Sequence, residues 1–158
     1  MSKDDNSLSI IFVVVKEALE TQQAQKSSLE TKASTLIAFA GGIFALLMGA
    51  RETLLLFQRD SQILIIVSII LFSASVIFSN IVSWVRAYRV DPAPDTLAKK
   101  FLESPVQDTQ LQLISNWISS WKSNRIMIER SALFLRLAYL TQAIAFILLG
   151  ASLLLTIL

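Results

Sequence analysis

Hydrophobic positions fall in three long runs along the chain, separated by two polar segments of unequal length. The first run, Ala33 to Ala50 (ASTLIAFAGGIFALLMGA), contains no charged residue. A bilayer's hydrocarbon core takes about 20 apolar residues of helix at ~1.5 Å each, so this run just spans it. Ser34, Ala38, Gly42, Ala45 and Gly49 recur at helical spacing and form a stripe of small side chains. In lipid such a stripe lets a second helix approach closely, so we expect it to pack on a partner. Gln62 to Val85 forms the second run. Ser68, Ser75, Ser79 and Ser83 line one of its faces, offering a candidate partner for the small stripe. Asn80 lies beside them, and its amide is expected to clamp two helices together. The third run is 132–158, interrupted early by Arg136. At that position an arginine is expected to snorkel to the membrane surface.

Ahead of the first run, Leu8, Phe12, Val15, Leu19, Leu29 and Ala33 fall at helical spacing, with Gln22 and Lys26 filling the gap. No glycine or proline precedes Gly41, so the spacing predicts a helix over 7–32 that enters the span directly and can run unbroken from Ser7 to Ala50. Residues 51–61 form a short hairpin connection whose Arg51–Glu52 and Arg59–Asp60 pairs can stay among headgroups. Between the second and third runs, Asp91-Pro-Ala-Pro-Asp95 stops the helix, and Asp95 can cap a short helix over 96–103. Ser104-Pro105-Val106-Gln107 reads as the start of another helix. In that helix Leu111, Ile114, Ile118, Trp121 and Ile128 share a face, with Trp117 beside it. Two tryptophans on an apolar face suit either a helix lying at the headgroups or one packed on the N-terminal helix. Trp84, Trp117, Trp121 and Arg136 are therefore the expected interface anchors.

Composition sharpens this picture. Only 16% of the 158 residues are charged and 54% are hydrophobic, against about 25% charged in an ordinary soluble domain. The fold class expected is all-α, a helical integral membrane protein with three spans and additional amphipathic helices. Cysteine and histidine are both absent, which removes thiolate and imidazole chemistry and Cys/His zinc sites. No carboxylate pair lies inside a span and no phosphate-cradling glycine loop occurs, so we expect neither enzyme activity nor a cofactor or metal. The net charge of +2 gives no reason to expect nucleic-acid binding. Basic residues cluster before the first run and over 86–131, with Arg51 and Arg59 in the hairpin. The positive-inside rule then makes the N-terminus and 86–131 cytoplasmic and the hairpin external.

Two strings resemble a known family. Leu29-Glu30-Thr31-Lys32-Ala33-Ser34-Thr35-Leu36, leading into a glycine-containing span, looks like the entry to the first span of Pycsar effector transmembrane proteins (PycTM) and related SLATT-type effectors. Asn124 to Ala138 (NRIMIERSALFLRLA) is similar to that family's helix before its final span. The resemblance covers most of residues 15–158. It implies a bacterial antiviral effector that damages the inner membrane when a nucleotide signal appears. The chain departs from the family in carrying no obvious appended sensor domain. The signal is therefore expected to be read by the short cytoplasmic helices or by a separate partner, and no ligand residues carry over.

These readings converge on a small bacterial inner-membrane protein that self-associates and perturbs or permeabilises the bilayer. The alternative is a non-catalytic scaffold that docks a cytoplasmic protein through its N-terminal helix and the Trp117/Trp121 face. A transporter ranks third, because the spans carry no acidic residues and the chain has no repeated halves.

Overall fold

In the computed structural model, which describes residues 3–50, 52, 59–84 and 105–157, the chain is all-α. Among the described residues it forms three long helices: α1 (Lys3–Gly49), α2 (Arg59–Ser83) and α3 (Val106–Ile157). Each is long and apolar enough to cross a membrane. At ~1.5 Å per residue the 47 residues of α1 and the 52 of α3 run roughly 70 and 78 Å, more than twice the thickness of a hydrocarbon core. The expectation of an unbroken helix from the N-terminal segment through the first span holds. The second long helix was not expected, since the sequence reading separated an insertion helix from the third span. No glycine or proline lies between Val106 and Leu149, so nothing in the sequence breaks it. The short helix expected over 96–103, Ser104 of the expected cap and most of the 51–61 connection lie outside the described residues. The start of α3 is marked by Thr109, whose amide and hydroxyl both donate to the Pro105 carbonyl.

The chain divides into two compact units. Unit 1 contains residues 1–27 and 86–130. There, α1 and α3 run in the same direction: the Phe12 ring lies 4.9 Å from that of Trp117, and further along both helices Gln22 Nε2 donates to the Trp121 carbonyl at 3.1 Å. Among its described residues, Gln22, Ile114, Ser120 and Asn124 are buried. Of the two arrangements open for the Trp117/Trp121 helix, packing on the N-terminal helix is the one observed. The apolar stripe shifts accordingly: Ile114, Trp117, Trp121 and Ile128 turn inward, while Leu111 and Ile118 are exposed.

Unit 2 contains residues 28–85 and 131–158, and α2 runs antiparallel to the other two segments. One core cluster joins Ala33 and Leu36 of α1, Val82 of α2, and Leu135 and Ala138 of α3. A second joins Ala40, Phe72 and Ala145, around which Phe72 meets Phe146 edge-on at 5.1 Å and Phe44 at 6.3 Å. Alanines at the contacts allow close helix approach while phenylalanines fill the space between layers.

Inward positions in every helix alternate by three and four. On α2 they are Ser61, Ile65, Ser68, Phe72, Ser75, Ser79 and Val82, all buried. On α3 the residues from Ser131 onward follow the same count through Leu135, Ala138, Gln142 and Ala145 to Ser152. Along α1 it takes in Gln22, Ala33, Leu36 and Ala40. A sustained seven-residue repeat of this kind is the signature of knobs-into-holes packing with a gentle left-handed supercoil.

Candidate functional site

That repeat decides where the singled-out residues point. On α1 the inward seam continues from Ala33 through Leu36 and Ala40, so Ser34, Ala38, Gly42, Ala45 and Gly49 occupy the far side of the helix, and all five are exposed. A Cβ built on Gly42 or Gly49 meets nothing within 4 Å. The expected packing of this stripe on the serine face of α2 is therefore corrected: among the described residues the stripe stays exposed and takes no part in the core clusters. Its residues are small, but the larger Leu36 and the equally small Ala33 and Ala40 already form the intramolecular contact, about 100° or more around the helix.

The serine face of α2 does turn inward, with Ser68, Ser75 and Ser79 buried and Ser83 exposed. Its partner is α3. Ser75 Oγ donates to the Ala138 carbonyl at 2.9 Å and stands 3.2 Å from Gln142 Oε1. A hydroxyl has one proton, so both contacts are satisfied together only when the Gln142 carboxamide turns its NH2 toward the serine. This pair is the polar tie between spans. Asn80, expected to be the clamp, is exposed, and its Nδ2 donates to the Val76 carbonyl of its own helix at 2.9 Å. Ser79 Oγ is buried without a hydrogen-bond partner.

The four anchor residues divide. Trp84 directly follows α2 with 64% of its surface exposed, and Arg136 projects outward from α3 with no ion pair among the described residues. Both placements suit a membrane–water boundary. Trp117 and Trp121 are instead half-buried, Trp117 against Phe12 and Trp121 beneath Arg125, whose guanidinium lies 5.7 Å from the indole centre.

Unit 1 also holds a half-open cleft of about 370 Å³, lined by Ala18, Thr21, Gln22 and Gln25 of α1 and by Trp121, Arg125, Ile128 and Glu129 of α3. Most of its polar groups are engaged locally. The Thr21 hydroxyl donates to the Glu17 carbonyl at 2.8 Å, and Arg125 Nε to Glu129 Oε1 at 2.9 Å. Gln22 Oε1 has no partner, but the atom is fully covered by its surroundings and out of reach of a molecule in the cleft. No group of three or more acidic residues able to hold a metal occurs among the described residues. The arrangement provides shape and packing rather than a set of converging reactive groups. The features that stand out are faces: the small-residue face of α1 in unit 2, and the outward apolar positions of unit 1. In comparisons with known proteins, no family model, curated protein or solved structure matches this chain.

Proposed function

We propose that this protein is a small bacterial inner-membrane effector that self-associates and perturbs or permeabilises the bilayer, with its N-terminus and residues 86–131 in the cytoplasm. One observation carries the reading. Three membrane-crossing helices leave the smallest, smoothest face of α1 outward, where lipid gains nothing from it and another helix gains close contact. The homo-oligomer is the state in which that face is used. The resemblance to PycTM and SLATT-type effectors supplies the context, a nucleotide signal in antiviral defence acting through unit 1 or a separate protein.

The scaffold reading is weaker, because the Trp117/Trp121 face it requires is turned onto α1. Membrane potential separates the two. Induced in bacterial cells alongside a nucleotide cyclase, an effector depolarises the membrane, whereas a scaffold at the same membrane level leaves the potential unchanged. An unchanged potential at confirmed expression would sink the effector reading.

A further inference from the structure

Among the described residues of unit 1, several large apolar side chains are exposed. Along the segment Leu8–Val15, Leu8, Phe12 and Val15 are half-buried, Phe12 against Trp117 of α3, while Ile10, Ile11, Val13 and Val14 stay outside, each about half exposed. A polar stretch, Lys16 to Ser28, separates these residues from the first span. On α3, Leu111 and Ile118 are likewise exposed. Charge distinguishes the two outward faces. One and two turns beyond Val13, the exposed side of α1 carries Glu17 and Glu20, and one and two turns beyond Ile118, α3 carries Lys122 and Arg125, the latter also lining the cleft. All four are exposed. Glu17 and Lys122 have no ion partner among the described residues, Glu20 pairs with the exposed Lys16 of its own helix, and Arg125 pairs with the exposed Glu129 while its guanidinium lies over the Trp121 ring.

We propose that these faces join one copy of the chain to the next: the α1 face around Val13, Glu17 and Glu20 docks on the α3 face around Ile118, Lys122 and Arg125 of a second copy. The inference deepens the self-association proposed above and rests on it. Copies in one membrane point the same way, so the assembly axis runs along the membrane normal and each residue meets a neighbour at nearly its own height. The contacts of Phe12 with Trp117 and of Gln22 with Trp121 bracket Glu17 and Glu20. They place the acids within about one to two turns of Lys122 and Arg125 in height. A two-fold pairing of α1 with α1 would set Glu17 and Glu20 against their own copies. A two-fold pairing of α3 with α3 would do the same to Lys122 and Arg125. Of these three pairings of the described faces, α1 on α3 brings acid to base and apolar to apolar. Such a contact uses different surfaces on the two copies, so it propagates around or along the membrane plane from copy to copy.

Charge reversal in the full-length protein tests this, with assembly measured as particle mass in lipid nanodiscs. One variant carries Glu17→Lys and Glu20→Lys, the other Lys122→Glu and Arg125→Glu. Each presents like charges on both faces and is expected to lose assembly at least tenfold while keeping wild-type helicity. Mixed in equal amounts, the two variants present opposite charges at every junction, and assembly is expected to return. Wild-type assembly should also weaken with added salt, an effect that Glu17→Gln with Glu20→Gln abolishes. If either reversal variant assembles like wild type, or the folded mixture stays dissociated, the α1-on-α3 contact is wrong while self-association stands. A wild type that is monomeric overturns both.

Discussion

Ser75 and Asn80 lie on the same helix, and from the sequence Asn80 had the stronger claim to tie α2 to a neighbour. A carboxamide offers more donors and acceptors than a hydroxyl, yet its length lets it curl back to the carbonyl of Val76, four residues earlier, and the helix satisfies it without help. Ser75 is shorter and sits on the inward seam, so it reaches Ala138 and Gln142 on α3. The serine stripe was legible in the sequence. Which of its neighbours was the clamp was not, because that depends on a rotation of the helix that polarity alone does not fix. Ser75→Ala should lower stability by about 0.5–2 kcal/mol, leaving Gln142 short of a buried partner. Asn80→Ala should change stability by less than about 0.5 kcal/mol. Thermal unfolding in detergent, followed by circular dichroism, checks both. A larger loss for Asn80→Ala would return the clamp to that residue.

At the scale of the helix, the seven-residue repeat explains both what could be read and what was misread. The spacing Leu8, Phe12, Val15, Leu19, with Gln22 and Lys26 continuing it, already marked the inward seam of unit 1. Extended by the same count it passes Leu29 and Ala33 to Leu36 and Ala40, the seam of unit 2. Small residues drew attention instead to Ser34 and Ala38, because in lipid a small side chain is compatible with either a helix contact or an open face. The two faces of α1 give opposite predictions for the same substitution. Ala40→Leu overfills the contact with Phe72 and Ala145 and should cost about 1–3 kcal/mol in protomer stability. Gly42→Leu adds bulk where nothing lies within 4 Å; it should leave the protomer as stable and as well inserted as wild type while disrupting assembly. Unfolding transitions and particle mass in nanodiscs, measured on both variants, separate the two effects. In unit 1, Phe12→Ala removes the ring against Trp117 and should cost about 1–3 kcal/mol locally, since the site is only half buried. Hydrogen exchange over residues 8–27 would register it as faster opening, and unchanged exchange would show that the ring contact contributes little.

For the whole molecule, the all-α membrane architecture followed from three long apolar runs whose one charged residue is Arg136, and composition set the class before any residue was placed. The pairing of the Trp117/Trp121 helix with α1 was one of two arrangements the sequence allowed. It prevails because Trp117 and Trp121 meet Phe12 and Gln22 along two helices running side by side, which removes their apolar faces from both water and headgroups. The functional account rests on what packing leaves over: an outward small-residue face on α1, and in unit 1 an acidic face and a basic face, each flanked by exposed aliphatic residues. Membrane potential in bacterial cells, compared between wild type and Gly42→Leu at matched membrane levels alongside a nucleotide cyclase, tests whether self-association through α1 drives the membrane effect. The account predicts that wild type depolarises the cells and Gly42→Leu does not. Equal depolarisation by both, or none by wild type, would contradict it.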